Sequence, residues 1–264
     1  MKILFIGDIF GRPGRQLIEN KLPEVIKEHA PDLIIANAEN ICHGSGFTPA
    51  NITQMQQAGV HFFTLGNHAF RKQSGVNRLN DPDFPVIRPA NYPESAETPG
   101  RGYQIFEHNN YKTLIINLMG REGMKVHLDC PFRKADQILE QHKDHQLNAI
   151  FVDFHTETTS EKIALATYLD GRITALIGTH THVPTADARL LTNGTAFMTD
   201  AGMNGIIDSI IGLKAQPIIQ KMLTQISTTH EPADQGRTIF TAALIAIDPS
   251  TQKAVNITHL TEIK

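Results

Sequence analysis

The chain of 264 residues has no tryptophan, four tyrosines and two cysteines. Cys42 and Cys130 are too few for a disulfide framework, and neither belongs to a CxxC pair of the kind that holds zinc. Long apolar runs are also missing. The longest, Phe240 to Ile247, is eight residues broken by Thr241, far short of the roughly 20 that cross a bilayer. At the start, an acid and glycines follow Ile3–Ile6 too soon for a secretory core, so a cytoplasmic protein is the simplest reading. Charge of one sign is scarce: 24 Lys and Arg stand against 27 Asp and Glu. The longest basic blocks are pairs, Arg71-Lys72 and Arg133-Lys134, which argues against stable nucleic-acid binding. What the chain does have is an apolar fraction of 41%, enough for a sizeable core, and thirteen histidines. No repeat, low-complexity tract or linker divides it, and residues 1–264 read as a single domain.

Five short apolar runs read as strands buried on both faces: Ile3–Ile6, Leu33–Ala36, Phe62–Leu65, Ala149–Val152 and Ala175–Ile177. Between them, Arg15–His29, Pro49–Ala58, Ala135–His145 and Ser160–Tyr168 carry helical spacing, the last with Ser160 as its expected N-cap. Strand followed by helix, repeated, implies right-handed βαβ units. Gly102–Glu107, the turn His108-Asn109-Asn110 and Tyr111–Leu118 read as a hairpin. Arg189–Leu191, Thr195–Thr199, Thr238–Ile247 and Val255–Leu260 continue that antiparallel style, and an amphipathic stretch, Ile218–Ile226, follows Pro217. Two mixed sheets with helices outside are expected, rather than a simple doubly wound sheet.

Polar residues collect where those strands end. Reading each run to its carboxyl end gives Asp8, then Glu39-Asn40, then Asn67-His68, then His155, then His180-Thr181-His182. In open α/β sheets ligands bind at that edge. Carboxylates, amides and imidazoles without thiolate suit borderline divalent ions such as Mn, Fe, Co, Ni or Zn better than Ca or Mg. The donors outnumber the needs of one tetrahedral ion, and two ions sharing a carboxylate would use them all. Two divalent ions, two carboxylates and a bridging hydroxide leave one positive charge, which a phosphodiester anion neutralises and a monoester dianion overshoots.

These residues carry a resemblance. Gly7-Asp8, Glu39-Asn40, Gly66-Asn67-His68, His155 and Gly178-Thr179-His180-Thr181-His182 resemble the ordered motifs of the calcineurin-like metallophosphoesterases. Gly7–Arg15, Ala36–Asn40, Val152–Lys162 and Gly178–Val183 resemble more closely one bacterial branch, the YmdB-like phosphodiesterases, and the likeness runs from Met1 to Ile247. Asp8-Ile9-Phe10 in place of Asp-x-His, and Glu39 in place of an aspartate, are shared with that branch. Ala69-Phe70-Arg71, where the branch usually carries Thr-Trp-Asp, is a departure.

The resemblance implies a four-layer α/β/β/α sandwich of two mixed sheets flanked by helices. It implies one ion on Asp8, Asn40 and His182, a second on Asn67, His155 and His180, and Glu39 bridging both. Iron or manganese is the expected metal, with Zn, Co or Ni as alternatives. A metal-bridging hydroxide would attack phosphorus while His68 protonates the leaving oxygen. The implied substrates are small phosphodiesters, above all cyclic nucleotides, 2′,3′-cyclic and 3′,5′-cyclic. Two other readings stay open: a phosphomonoesterase or protein phosphatase on the same site, and a regulator that binds metal or nucleotide without turnover. Association into a homo-oligomer stays open as well.

The remaining candidates have plainer readings. Gly7, Gly11 and Gly14 do not match GxGxxG, and Pro13 removes an amide a pyrophosphate would use, so a dinucleotide-cofactor enzyme is disfavoured. His29, His142 and His145 fall near helix ends, where a partial positive charge favours the dipole. Asp153 reads as a structural acid, Asp200 as a turn residue, and Arg12 as either a phosphate contact or a solvated cation.

Overall fold

Ile3, Leu4, Phe5 and Ile6 are all fully buried, and alternate residues serve different cores. Ile3 and Phe5 face a second sheet, whereas Leu4 and Ile6 face helices. A strand covered on both faces must be apolar throughout, which is why it reads as a run. The computed structural model describes residues 1–93 and 97–264. In chain order its strands are β1 (Lys2–Ile6), β2 (Asp8–Ile9), β3 (Leu33–Asn37), β4 (Phe62–Thr64), β5 (Val86–Ile87), β6 (Tyr103–His108), β7 (Tyr111–Met119), β8 (Ala149–His155), β9 (Ala175–Thr179), β10 (Arg189–Leu190), β11 (Ala196–Met198), β12 (Met203–Ile206), β13 (Thr238–Asp248) and β14 (Lys253–Ile263). The helices are α1 (Gly11–His29), α2 (Pro49–Gln57), α3 (Gln73–Val76), α4 (Pro131–His142), α5 (Thr159–Leu169) and α6 (Ala215–Thr224).

The first sheet has the order β2-β12-β13-β1-β3-β4-β5, with β14 also paired to β13. Within it β1, β3, β4 and β5 are parallel, while β13 is antiparallel to β1, β12 and β14. The second sheet runs β10-β11-β9-β8-β7-β6, with a parallel centre and an antiparallel strand at each edge. Three cores follow. Ile18, Leu22, Ile52 and Met55 of α1 and α2 cover one face of the first sheet. Phe5, Ile35, Phe62, Phe151 and Ile177 fill the space between the sheets, the Phe5 and Phe151 rings 5.0 Å apart. Ala135, Ile138, Leu165 and Leu169 of α4 and α5 cover the outer face of the second sheet. The result is the expected four-layer α/β/β/α sandwich of mixed sheets.

Several element boundaries differ from the sequence reading. α1 starts at Gly11 rather than Arg15: Gly11 tolerates a φ of +60°, and Pro13 fits in the first turn, where its missing N–H costs nothing. α4 starts at Pro131 and ends at His142, so His145 lies beyond it. Ser160 is not an N-cap; α5 begins one residue earlier, after extended Thr158, whose hydroxyl makes no capping bond. The hairpin turn is the pair Asn109-Asn110, both at positive φ, with His108 paired to Tyr111. Gly14, inside α1, serves packing, since a Cβ there would meet the Asn204 carbonyl of β12 at 2.4 Å. Both cysteines are free. Among the described residues no helix is long and apolar enough to cross a membrane.

Candidate metal centre and cleft

Three strands of the first sheet and two of the second end at one edge of the sandwich, and each end carries polar side chains. Asp8 follows β1, Glu39 and Asn40 follow β3, and Asn67 and His68 follow β4; His155 is the last residue of β8, and His180 and His182 follow β9. Asp8, Glu39, Asn40 and His155 are almost wholly buried. Gly66 lets the chain pass close by, because a Cβ there would come within 2.3 Å of both Glu39 Oε2 and His155 Nε2. His180 and His182 have φ of +98° and +66°, conformations uncommon for residues other than glycine.

All seven sequence-predicted ligands, and His68, meet. His155 Nε2 lies 3.0 Å from Asn67 Oδ1, 3.0 Å from His180 Nδ1 and 3.3 Å from Glu39 Oε2. On the other flank, Asn40 Nδ2 lies 3.0 Å from His182 Nε2 and donates to Glu39 Oε1 at 3.0 Å and Asp8 Oδ1 at 3.4 Å. His182 Nε2 is 3.9 Å from Asp8 Oδ1, and the His180 amide donates to Asp8 Oδ2 at 3.3 Å. Glu39 touches both groups. His68 also belongs to it: its amide donates to Glu39 Oε2 at 3.0 Å, and its Nδ1 lies 3.2 Å from Glu39 Oε1 and 2.8 Å from Asn40 Oδ1.

The electrostatics suit a cation. Burial opposes ionisation of Glu39, but His155 and His68 outweigh it and hold the carboxyl well below its usual range. Burial raises Asp8. Burial also disfavours charge on His155, yet Glu39, Asp8 and Asp153 together push it up to about 9. His180, desolvated and beside His155, falls to about 3. A positive charge is thus favoured between Glu39 and Asn67, and a divalent ion there would replace a proton. Ligand atoms of Glu39, His155 and His180 can all lie within 4.8 Å of one another. The oxygen and imidazole donors, with no thiolate, fit borderline divalent ions. Asn40 fits once its amide is turned over, which puts Oδ1 among Asp8, Glu39 and His182.

Other contacts were not foreseen. Thr179 Oγ1 lies 2.9 Å from His155 Nδ1 and donates to Asp153 Oδ1 at 2.7 Å, so Asp153 and Thr179 set the imidazole tautomer from behind. Asp153 also accepts from Asn37 and Thr64 of the first sheet, and burial raises its pKa to about 6. It is a structural acid, as read, but one that ties the two sheets together beneath the site. Asp200 is more than a turn residue: it pairs with Lys162 and accepts from Thr181 N, under the histidine loop. Glu157 Oε2 lies 3.1 Å from His180 Nε2. A Thr after an apolar strand or a Lys in a helix carries no sequence signal of such a role.

A cleft of about 620 Å³ opens over the site, lined by Asn40, Asn67, His68, His180 and His182. Phe10, Met124 and Ile211 give it apolar walls, and Arg71, Lys125, His43 and His230 give it cationic and imidazole groups. Arg12 is exposed and outside it. His29 and His142 lie in the last turns of their helices, as read.

The model of the YmdB-like protein family matches residues 4–260. A Bacillus subtilis protein named 2′,3′-cyclic-nucleotide 2′-phosphodiesterase is 41% identical over 260 residues, covering 98% of this chain and 96% of that one. A crystal structure of a Mycoplasma pneumoniae protein described as a novel phosphatase superposes with a TM-score of 0.92 at 30% identity, covering 100% of this chain and 93% of that one. A hypothetical protein from Thermus thermophilus superposes with a TM-score of 0.91 at 38% identity, with 100% of both chains covered.

Proposed function

The chain belongs to the YmdB-like family, and on that premise we propose that it is a metallophosphoesterase that hydrolyses small phosphodiesters, above all cyclic nucleotides, 2′,3′-cyclic and 3′,5′-cyclic. The observation that carries this reading is the meeting of Asp8, Glu39, Asn40, Asn67, His155, His180 and His182 beside His68 under one cleft. Asp8, Asn40 and His182 are assigned to one divalent ion, Asn67, His155 and His180 to a second, and Glu39 to both; Fe or Mn suits the set, as do Zn, Co or Ni. When bound, such ions supply the Lewis acidity that activates water and neutralises charge on the phosphoryl group.

The chain's own residues do the rest. Asp153, through Thr179, holds His155 with Nε2 toward the site. Glu39 anchors the His68 amide, and the turned Asn40 amide donates to His68 Nδ1, so the ring proton for the leaving oxygen is carried at Nε2. Phe10, Met124 and Ile211 offer a base an apolar seat, and Arg71 and Lys125 bring positive charge to an anionic substrate.

Replacing Glu39 by Gln should cut turnover of a 2′,3′-cyclic nucleotide by ~10³-fold while the ion-free melting temperature and circular dichroism hold. Near-normal hydrolysis by that variant would reject the reading. Comparing 2′,3′-cyclic, 3′,5′-cyclic and monoester substrates at one metal loading reads the substrate class, and preference for the monoester would reassign the site to a phosphomonoesterase.

A further inference from the structure

Lys162 and Asp200 form an ion pair with no side-chain exposure on either partner, Nζ to Oδ2 at 2.6 Å. A buried pair adds little net stability, because desolvation offsets the attraction, so its use lies elsewhere. The groups it grips are specific. Lys162 Nζ also donates to the Thr179 carbonyl at 2.9 Å, just before His180. Asp200 Oδ2 accepts from Thr181 N at 3.1 Å, just after His180. Asp200 Oδ1 accepts from Gly202 N at 2.8 Å, and the neighbouring Met203 N donates to the His182 carbonyl at 3.1 Å. Thr185 N bonds the Asp200 carbonyl at 3.0 Å, and Asp200 N bonds the Thr185 hydroxyl at 2.9 Å, closing the loop beyond His182.

The segment so held is strained: His180 and His182 both sit at positive φ. Such residues cost roughly 1–3 kcal/mol each and persist only where the surroundings over-determine them. Two imidazoles two residues apart on an unconstrained strand would point the same way. Here the first turns toward His155 and Glu157, and the second toward Asn40 and Asp8.

We propose that Lys162 and Asp200 are positioning residues: a buried clamp that holds His180-Thr181-His182 in the backbone conformation that offers one imidazole to each ion. The inference rests on the metal assignment above. The clamp is built from α5 and the chain after β11, so it sets the loop from outside the donor set.

The test uses the full chain carrying Lys162→Met, Asp200→Asn and the two together. Removing both charges avoids leaving one ion buried alone, so the double variant is expected to fold even where Lys162→Met does not. In the ion-free protein, amide exchange at Thr181 and Gly202 should rise at least tenfold in the double variant. Mn²⁺ affinity, titrated calorimetrically, should fall about 10–100-fold, while the ion-free melting temperature moves little. Unchanged amide exchange, an affinity loss smaller than tenfold, or a double variant that cannot fold would each overturn the clamp. Wild-type protein that takes up no Mn²⁺ would instead reject the metal assignment. The exchange arm, which uses no ion, keeps the two failures apart.

Discussion

Glu39 is the residue on which the site turns. Its Oε1 faces His68 and its Oε2 faces His155, while the neighbouring Asn40 reaches toward His182. Among the described residues, His68 is the one candidate proton donor tied to it from the cleft side. His68→Ala should therefore lose roughly 10²–10⁴-fold against a cyclic nucleotide, whose alkoxide leaves poorly, and far less against a nitrophenyl ester, whose phenolate leaves unaided. Equal losses in a kcat comparison would assign His68 to positioning instead. At this scale the candidate site residues were legible because Asp8, Glu39, Asn67 and His155 each follow an apolar run, where polar side chains have no packing role. Lys162 and Thr179 were not legible. A lysine in a helix reads as a solvated surface residue, and only burial against Asp200 reveals its place.

At the scale of elements, β3 and β4 depend on a histidine as well as on their ladder. The His61 amide donates to the Ile34 carbonyl at 2.9 Å, and its ring Nδ1 accepts from Ile34 N at 3.0 Å, which requires a neutral ring. Burial, with the His108 ring 4.0 Å away, lowers its pKa to about 4. The unfolded chain therefore binds this proton first, near pH 6.5, so His61's contribution is complete above that pH and is lost as pH falls toward 4. After discounting for a partly exposed ring, the loss is about 1–2 kcal/mol. In urea melts from pH 7 to 4.5, wild type should lose that much more stability than His61→Asn, whose amide oxygen still accepts. Parallel losses would refute the assignment. The strands themselves were legible as continuous runs. Short β2, β5 and β12 were not, because two to four residues carry no period.

For the whole molecule, the site exists only where two sheets meet. Asp8, Glu39, Asn40, Asn67 and His68 lie at strand ends of the first, and His155, His180 and His182 at strand ends of the second. Ions held across that seam would bind the folded chain and not the unfolded one. At a concentration a hundred times Kd each filled site should add about 2.7 kcal/mol, or roughly 5–10 °C in melting temperature. Stripping the protein with a chelator should remove that increment and Mn²⁺ should restore it. Glu39→Gln should show little of it, and a melting temperature indifferent to Mn²⁺ would contradict an ion at the seam.

The amino-acid order alone determined where the apolar strand runs fall and which polar residues end them, because both are local patterns. Only the tertiary structure decided that three of the five runs lie in one sheet and two in the other. It also decided that Asp153 spans between the sheets and that Lys162 lies buried under the histidine loop. Those outcomes depend on long-range pairing and packing, which no window of neighbouring residues encodes.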